Sequence, residues 1–424
     1  MAEHTDSYYA ASAIGLDEHP ALADPMSCDV CVVGGGFTGL SAALHLAERG
    51  YDVILLEAER LGWGASGRNG GQLNTGQRKD QGTLERLVGK AHARQLWDLA
   101  QEARDEVKAR VERHSIDCDL KSGHLTAAYK AGDVADLEES AALLNKHYGY
   151  PHLSLASRAE TAEMLGTGIY HGALLDRDAA HIHPLNYALG LARAAREAGA
   201  RLFESSRVTK LTPGQPNRLA TAQGEVRAKA VVLACNGYLE RLEPRISGFI
   251  MPINNYVLAT EPLGEAGARA LIRDDVAVAD TKFVVDYYRR SADHRLLFGG
   301  GETYSRRFPA DIKGFVRKYM LRVYPQLAET RIDYAWGGTL AITMNRMPAF
   351  GRLKHDVFYA QGYSGQGVAL TTVAGKVIAE ALAGTAERFD AFAKVPVPQF
   401  PGGTLLRWPG LVAGMLYYSL RDKL

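Results

Sequence analysis

Gly34-Gly35-Gly36-Phe37-Thr38-Gly39 sets glycine at the first, third and sixth positions of G-x-G-x-x-G, and Glu57 follows 18 residues after Gly39. Residues of these types at this spacing can hold a dinucleotide. Gly34 permits a tight turn, Gly36 lets a pyrophosphate approach the backbone, and Gly39 lets a helix pack closely on a strand. A helix opening at Phe37 and Thr38 turns its free N–H groups toward the phosphates. Glu57, followed by Ala58, can accept hydrogen bonds from ribose hydroxyls and would repel a 2′-phosphate. The bare motif is weak, but its flanks make it specific. Cys28 to Val33 reads as a buried parallel strand, so the Cys28/Cys31 spacing reads as strand packing rather than a metal site. Leu40, Ala43, Leu44 and Ala47 mark one buried helix face, Gly50 ends the helix, and Asp52 to Glu57 reads as the next strand. His45, on the polar side of that helix, reads as a solvated surface histidine.

Two further glycine-rich turns choose FAD over NAD. Leu61 to Gln72 carries five glycines, with Ala65, Ser66, Gly67, Arg68, Asn69, Gly70, Gly71 and Gln72 forming its second half. Such a loop suits backbone and side-chain donors wrapping a second polar segment, which the ribityl chain of FAD supplies and NAD lacks. An ordinary flexible loop is the alternative. Near the other end, Val357 to Gln361 reads as a strand, followed by the turn Gly362-Tyr363-Ser364-Gly365-Gln366-Gly367 and a helix with Leu370, Val373, Ala374, Val377, Ile378 and Ala381 on one face. That helix start would aim a second positive end at the pyrimidine edge of a flavin, where Gln366 is expected to make contact.

The elements that must position these turns are spread along the chain. Arg207 to Leu211, with Val208 counted among the cofactor-binding residues, and Ala230 to Ala234 read as two more strands of the nucleotide domain. The chain therefore leaves that domain and returns to it. The expected division is a discontinuous FAD-binding domain (27–80, 156–238 and 346–388) and a substrate domain (81–155 and 239–345). An N-terminal arm (1–26) and a C-terminal extension (389–424) flank them. Composition agrees. The 424 residues carry 44 glycines, against about 30 at average usage, and three cofactor turns account for much of the surplus. A net charge of +1 without a basic run argues against nucleic acid, and no apolar stretch is long enough for a transmembrane helix. Four cysteines and the acidic residues near the N-terminus, without an apolar signal region, lead us to expect a cytoplasmic protein. The apolar stretch Gly403 to Leu420 is expected to pack on the body or against a second copy, as in a homo-oligomer, rather than to enter a membrane.

With these motifs in place, the sequence resembles the D-amino-acid-oxidase group of FAD-dependent amine oxidoreductases. Within it, the chain is most similar to the gamma-glutamylputrescine oxidase subgroup. The subgroup resemblance is carried by Glu3 to Ser12, Gly62 to Gln72, Gly172 to Asp176, His181 to Asn186, Asp286 to Arg289, Gly362 to Gly365 and Tyr417 to Asp422. It implies an α/β fold: a Rossmann-like FAD-binding domain interleaved with an α+β substrate domain having a mostly antiparallel sheet. It also implies oxidative deamination of the terminal primary amine of a gamma-glutamylated chain. Hydride would pass to flavin, the imine would hydrolyse to an aldehyde and ammonia, and oxygen would yield hydrogen peroxide, with a quinone as the other acceptor. FAD is expected to be noncovalent. The last cysteine is Cys235, too early for the tether of sarcosine-oxidase-like relatives, and Arg68-Asn69 stands where others carry a linking histidine. Trp336 to Ile342 lacks the carboxylate-binding arginine of amino-acid oxidases, although Arg346 is close and keeps a glycine-, sarcosine- or D-amino-acid-type oxidase or dehydrogenase as the runner-up. A flavoprotein subunit without amine chemistry is the alternative of a different class.

Candidate substrate contacts are Tyr288, Trp336, His183 and Lys282. Tyr287 and Tyr288 alternate on an expected strand, so one should face the flavin, and Tyr288 is chosen as a cage wall against core packing. Trp336 sits beside two glycines at the domain junction. His183 could lie near the flavin or cap a helix, and Lys282 could activate oxygen or be a solvated surface lysine.

Overall fold

A computed structural model describes residues 3–303, 307–404 and 407. The expectation for Gly403 to Leu420 falls almost wholly outside them. The fold is built on two sheets. In the first, Ala349–Leu353, Val357–Gln361, Glu225–Leu233, Met26–Val33, Val53–Leu56 and Arg201–Phe203 lie side by side in that order. The pairings from Val357–Gln361 to Arg201–Phe203 are parallel. Both faces of these strands are covered, which is why Val53–Leu56 and Cys31 to Val33 are apolar at every position. The helices Phe37–Ala47, Lys90–Arg113, Pro184–Glu197 and Gly367–Leu382 share one core with one face.

The second sheet has nine strands and runs Ile332–Ile342, Met251–Thr260, Leu296–Thr303, Tyr287–Arg290, Ala277–Asp280, Lys121–Ala127, Ala173–His181 and Gln72–Leu73, with Leu153–Ala156 also paired to Ala173–His181. Only the Ala277–Asp280 to Lys121–Ala127 pairing is parallel, so the sheet is mostly antiparallel. Two interleaved sheets with helices confirm the expected α/β class.

Three features differ from expectation. The strand expected at Arg207 to Leu211 is Lys210–Thr212, which forms an antiparallel hairpin with Asn217–Ala220. The parallel neighbour of Val53–Leu56 is instead Arg201–Phe203, too short to give a periodic signal. Ala173–His181 and Gln72–Leu73 belong to the second sheet, so the segments 27–80 and 156–238 each serve both sheets. His45 is a buried residue, not a surface one. Its ring lies 3.1 Å from an Arg110 nitrogen, among Glu48 and Glu106, and burial, then Arg110, holds its pKa well below the usual histidine range. The helix Lys90–Arg113 covers the side that periodicity had assigned to solvent. No helix among the described residues is long and apolar enough to cross a membrane.

Candidate active site

The first glycine turn follows the strand Met26–Val33. Gly34 has φ +109°, and a Cβ there would lie 2.8 Å from the Ala234 carbonyl oxygen of the neighbouring crossover. A Cβ on Gly39 would come within 1.9 Å of the Gly34 carbonyl oxygen, so only glycine lets this helix sit on this turn. Gly36 caps the helix Phe37–Ala47 without a side-chain bond, and the first turn carries no acid, leaving its positive end for an anion. Ser66 Oγ accepts from Phe37 N at 3.0 Å, which ties the second loop to the first turn. Glu57 takes Gly35 N at 2.6 Å and Glu59 N at 2.9 Å, one on each carboxylate oxygen. Each oxygen keeps a lone pair for a ribose hydroxyl. Burial raises the Glu57 pKa, opposed by those backbone N–H bonds.

These groups open into a cavity of about 370 Å³ lined by Gly34, Gly36, Phe37, Thr38, Glu57, Ala58, Ala65, Ser66, Val208 and Tyr363. Trp63, Arg207, Cys235, Tyr238 and Thr371, not singled out from sequence, also line it. It sits at the carboxyl ends of the parallel strands, where open α/β sheets bind nucleotides. A wider depression at the opposite strand ends, lined by Asp29, Arg49, Tyr51, Lys229 and Asp356, carries no glycine turn. The cradle fits FAD: Cβ-free backbone beside helix ends without acids, with a carboxylate placed for a ribose.

The second loop is braced by its own side chains, which corrects the expectation that they mainly wrap the cofactor. Arg68 Nε donates to the Trp63 carbonyl at 2.6 Å and its terminal nitrogen to Gly337 O at 3.2 Å, while its guanidinium stacks 4.0 Å from the Trp63 ring. Asn69 Nδ2 donates to Ala65 O and Ser66 O, and its Oδ1 accepts from Gly71 N at 2.7 Å. Gln72 Nε2 donates to Val278 O at 2.8 Å. A Cβ on Gly67 would meet Gly62 O at 2.3 Å and one on Gly71 would meet Ile182 O at 2.1 Å. The loop is thus rigid, and its backbone is its ligand-facing surface.

The last turn is bonded to the first. Tyr363 is buried, with its hydroxyl 2.8 Å from Thr38 Oγ1. Ser364 (φ +55°) and Gly365 (φ +94°) bend the chain into the helix Gly367–Leu382, whose first turn has no acid and whose cap, Gln366, makes no side-chain cap bond. The Gln366 amide instead meets Asn74 Nδ2 and the Thr75 carbonyl, each at 3.4 Å.

The four candidate substrate contacts fare differently. Tyr288 packs in the core of the second domain, stacked on Phe298 at 5.4 Å and 4° and hydrogen-bonded to the Tyr170 hydroxyl. Strand parity is the reason: Tyr287 takes the other face, where Cβ atoms built on Gly70 and Gly299 would meet its ring at 2.7 and 2.1 Å. Tyr287, not Tyr288, therefore faces the glycine loop. Trp336 is also an internal brace, 1% exposed, with Nε1 donating to Arg68 O at 2.9 Å and its ring against Tyr9. His183 caps the helix Pro184–Glu197. Its Nδ1 accepts from Asn186 N at 3.1 Å, its Nε2 faces Ser12 Oγ at 3.1 Å, and burial, then Arg289, pushes its pKa down to about 3. Lys282 pairs with Asp280 at 2.9 Å and with Asp286, and lies 4.7 Å from the centre of the Tyr129 ring.

Two groups escaped the sequence reading. Arg289 is 2% exposed, with no carboxylate at ion-pair distance among the described residues. It donates to Gly70 O at 2.9 Å and to the Tyr9 hydroxyl at 3.2 Å, so a buried cation of the second sheet holds the second glycine loop. Its neighbour Tyr287 could have signalled it, since residues flanking a site-facing strand position brace what lies behind. The second group is Glu302 with Arg78 and Arg346. Arg78 and Glu302 are surrounded by protein yet keep accessible surface, as side chains on a cavity wall do. Burial raises the Glu302 pKa, with Arg346 and then Arg78 opposing.

Comparison with known proteins agrees with this geometry. The model of the DAO family, FAD dependent oxidoreductases, matches residues 29–381. A gamma-glutamylputrescine oxidoreductase of Escherichia coli K12 is 46% identical over 425 residues, covering 100% of both chains. A glycine oxidase of Bacillus licheniformis is 26% identical over 84% of this chain and 93% of its own. Among solved structures, a glycine oxidase from Geobacillus kaustophilus superposes with a TM-score of 0.71 at 23% identity, covering 86% of this chain and 95% of its own, which shows the fold. A family match over most of the chain and a relative nearly half identical from end to end settle the affiliation: the protein belongs to the DAO family and is an FAD-dependent oxidoreductase acting on amine groups.

Proposed function

We propose that the protein oxidises the terminal primary amine of gamma-glutamylputrescine, or of a closely related monoacylated polyamine, to an aldehyde, ammonia and hydrogen peroxide. The observation that carries this is the 46% identity, over the whole of both chains, to a gamma-glutamylputrescine oxidoreductase. When bound, FAD supplies the hydride acceptor; the rest is positioning by this chain. The helix starts at Gly36 and Gln366 bring positive ends to the cofactor's phosphates and to its pyrimidine edge. Tyr287 and the Cβ-free Gly70 and Gly299 make a flat, enclosed wall beside the second loop. Such a wall disfavours an ammonium and so favours the neutral amine, whose lone pair assists hydride loss. FAD is held noncovalently, oxygen is the acceptor, and the compartment is the cytoplasm.

Product analysis tests this. With gamma-glutamylputrescine in air, aldehyde, ammonia and peroxide should form in equal amounts, and acid precipitation should release all the flavin. Aldehyde without peroxide, formed only when a quinone is added, would overturn the oxygen assignment. Flavin that stays with the precipitate would overturn noncovalent binding.

A further inference from the structure

We propose that Arg78, Arg346 and Glu302 clamp the zwitterionic α-amino-acid head of the substrate, the two guanidinium groups taking its carboxylate and Glu302 its ammonium. The clamp rests on the gamma-glutamyl substrate proposed above and names the residues that select it. Glu302 stands opposite Asn255 in the pairing of Leu296–Thr303 with Met251–Thr260. Asn255 Oδ1 accepts from the Tyr287 hydroxyl, and the Tyr287 ring covers Gly70. Glu302 therefore lies farther along the same wall that Tyr287 presents to the second glycine loop. Arg78 arrives from another side, its Nε donating to Ser364 O in the last glycine turn at 3.1 Å. Ser364 Oγ accepts from Thr343 N at 3.2 Å, and Thr343 O accepts from Arg346 N at 3.2 Å, holding Arg346 at φ +64°. Two loops thus bring cations to a carboxylate on the sheet.

The charges are under-satisfied by the protein. Glu302 makes no hydrogen bond and no ion pair within 4.0 Å among the described residues, and Arg78 spends only Nε on a protein atom. An enclosed charge without a direct partner is costly, and a ligand of opposite charge relieves that cost. The field of Arg346 and Arg78 at Glu302 is the leading influence opposing burial of that carboxylate, so the three act on one volume. The reacting amine does not suit this place, because two guanidinium groups repel a cation. A zwitterion fits both signs at once. The same pair would reject free putrescine, which carries a second cation where the head should be.

Calorimetry on the FAD-loaded enzyme with gamma-glutamyl-n-butylamide, which keeps the head and lacks the reactive amine, separates the clamp from the chemistry. Kd should rise roughly tenfold or more in Arg78→Gln and in Arg346→Gln, as for loss of a charge-assisted bond. Arg78→Lys and Arg346→Lys should recover part of it. Glu302→Gln should weaken this ligand while leaving N-butylglutaramate, which has no ammonium, unchanged. Unaltered Kd in the glutamine variants, with a native flavin spectrum, would overturn the clamp. So would a wild type that oxidises gamma-glutamylputrescine but does not bind the butylamide, and in that case the substrate assignment stands. A wild type that does not oxidise gamma-glutamylputrescine overturns both.

Discussion

The nucleotide end and the substrate end of the site are made from different materials. At the nucleotide end, backbone carries the ligand: Gly34, Gly36 and Gly39 leave no room for a Cβ, and one carboxylate, Glu57, is anchored by two main-chain amides. At the substrate end, side chains from strands and loops far apart in sequence meet on one face of the antiparallel sheet: Tyr287, Asn255 and Glu302. The first end tolerates almost no change of shape, whereas the second is set by which side of a strand a residue occupies. Arg289 connects them, since it belongs to the sheet but bonds the glycine loop.

Breaking the nucleotide end should have the largest effect. Gly39→Ala would press a methyl group to 1.9 Å from a backbone carbonyl oxygen that cannot step aside. Overpacking of this kind costs about 1–3 kcal/mol or more, so FAD should bind roughly 10- to 100-fold more weakly, read from the flavin-to-protein absorbance ratio. Arg289→Met tests the link between the ends. It leaves the Gly70 carbonyl and Tyr9 hydroxyl without their donor, and about 2 kcal/mol of stability should go with it. FAD should dissociate faster although no residue of the glycine turns has changed; an unchanged off-rate would deny the link.

A pH effect comes next. His183 is held neutral, with a folded pKa of about 3 against about 6.5 when unfolded. Its neutral form therefore contributes fully above pH 6.5, and that contribution is lost as pH falls toward 3. Asn at this position keeps a cap acceptor but cannot titrate. Between pH 6 and 4, wild-type stability should fall more steeply than that of His183→Asn, by roughly 1.4 kcal/mol per pH unit. Parallel curves would contradict the assignment of His183 as a neutral cap. His181 and His124, lowered to about 3 and about 4 mainly by burial, should keep the variant acid-sensitive.

The smallest effects sharpen the substrate end. Tyr288→Phe removes one buried hydroxyl pairing and should cost about 1 kcal/mol of stability with kcat and KM unchanged. Tyr287→Phe should do the reverse, raising KM several-fold with little change in melting. A KM response from Tyr288 instead would restore the original choice between the two.

The same division explains what could be read from sequence. A glycine turn is local: strand, turn, helix and acidic residue fall within about 30 residues, so Gly34 to Glu57 announce their chemistry. The fold class followed from three such turns spread along the chain. Tyr288 was chosen over Tyr287 because alternation fixes that one faces the site without fixing which. Trp336 and Arg68 are residues of the right type beside the right glycines, but their hydrogen bonds go to each other's surroundings. His45 was misplaced because periodicity cannot reveal a second helix layer, here Lys90–Arg113, laid over the polar side. Glu302 and Arg78 left no signal, since their meeting depends on strand register and on two loops brought together through Ser364.

The central claim is that this amine oxidoreductase is built for a gamma-glutamylated amine. Anaerobic titration of the FAD-loaded protein with gamma-glutamylputrescine, putrescine, sarcosine and D-alanine tests it most directly through the flavin absorbance. Rapid bleaching by gamma-glutamylputrescine alone is the expected result. Bleaching by sarcosine or D-alanine in its place, or by none of the four, would contradict it.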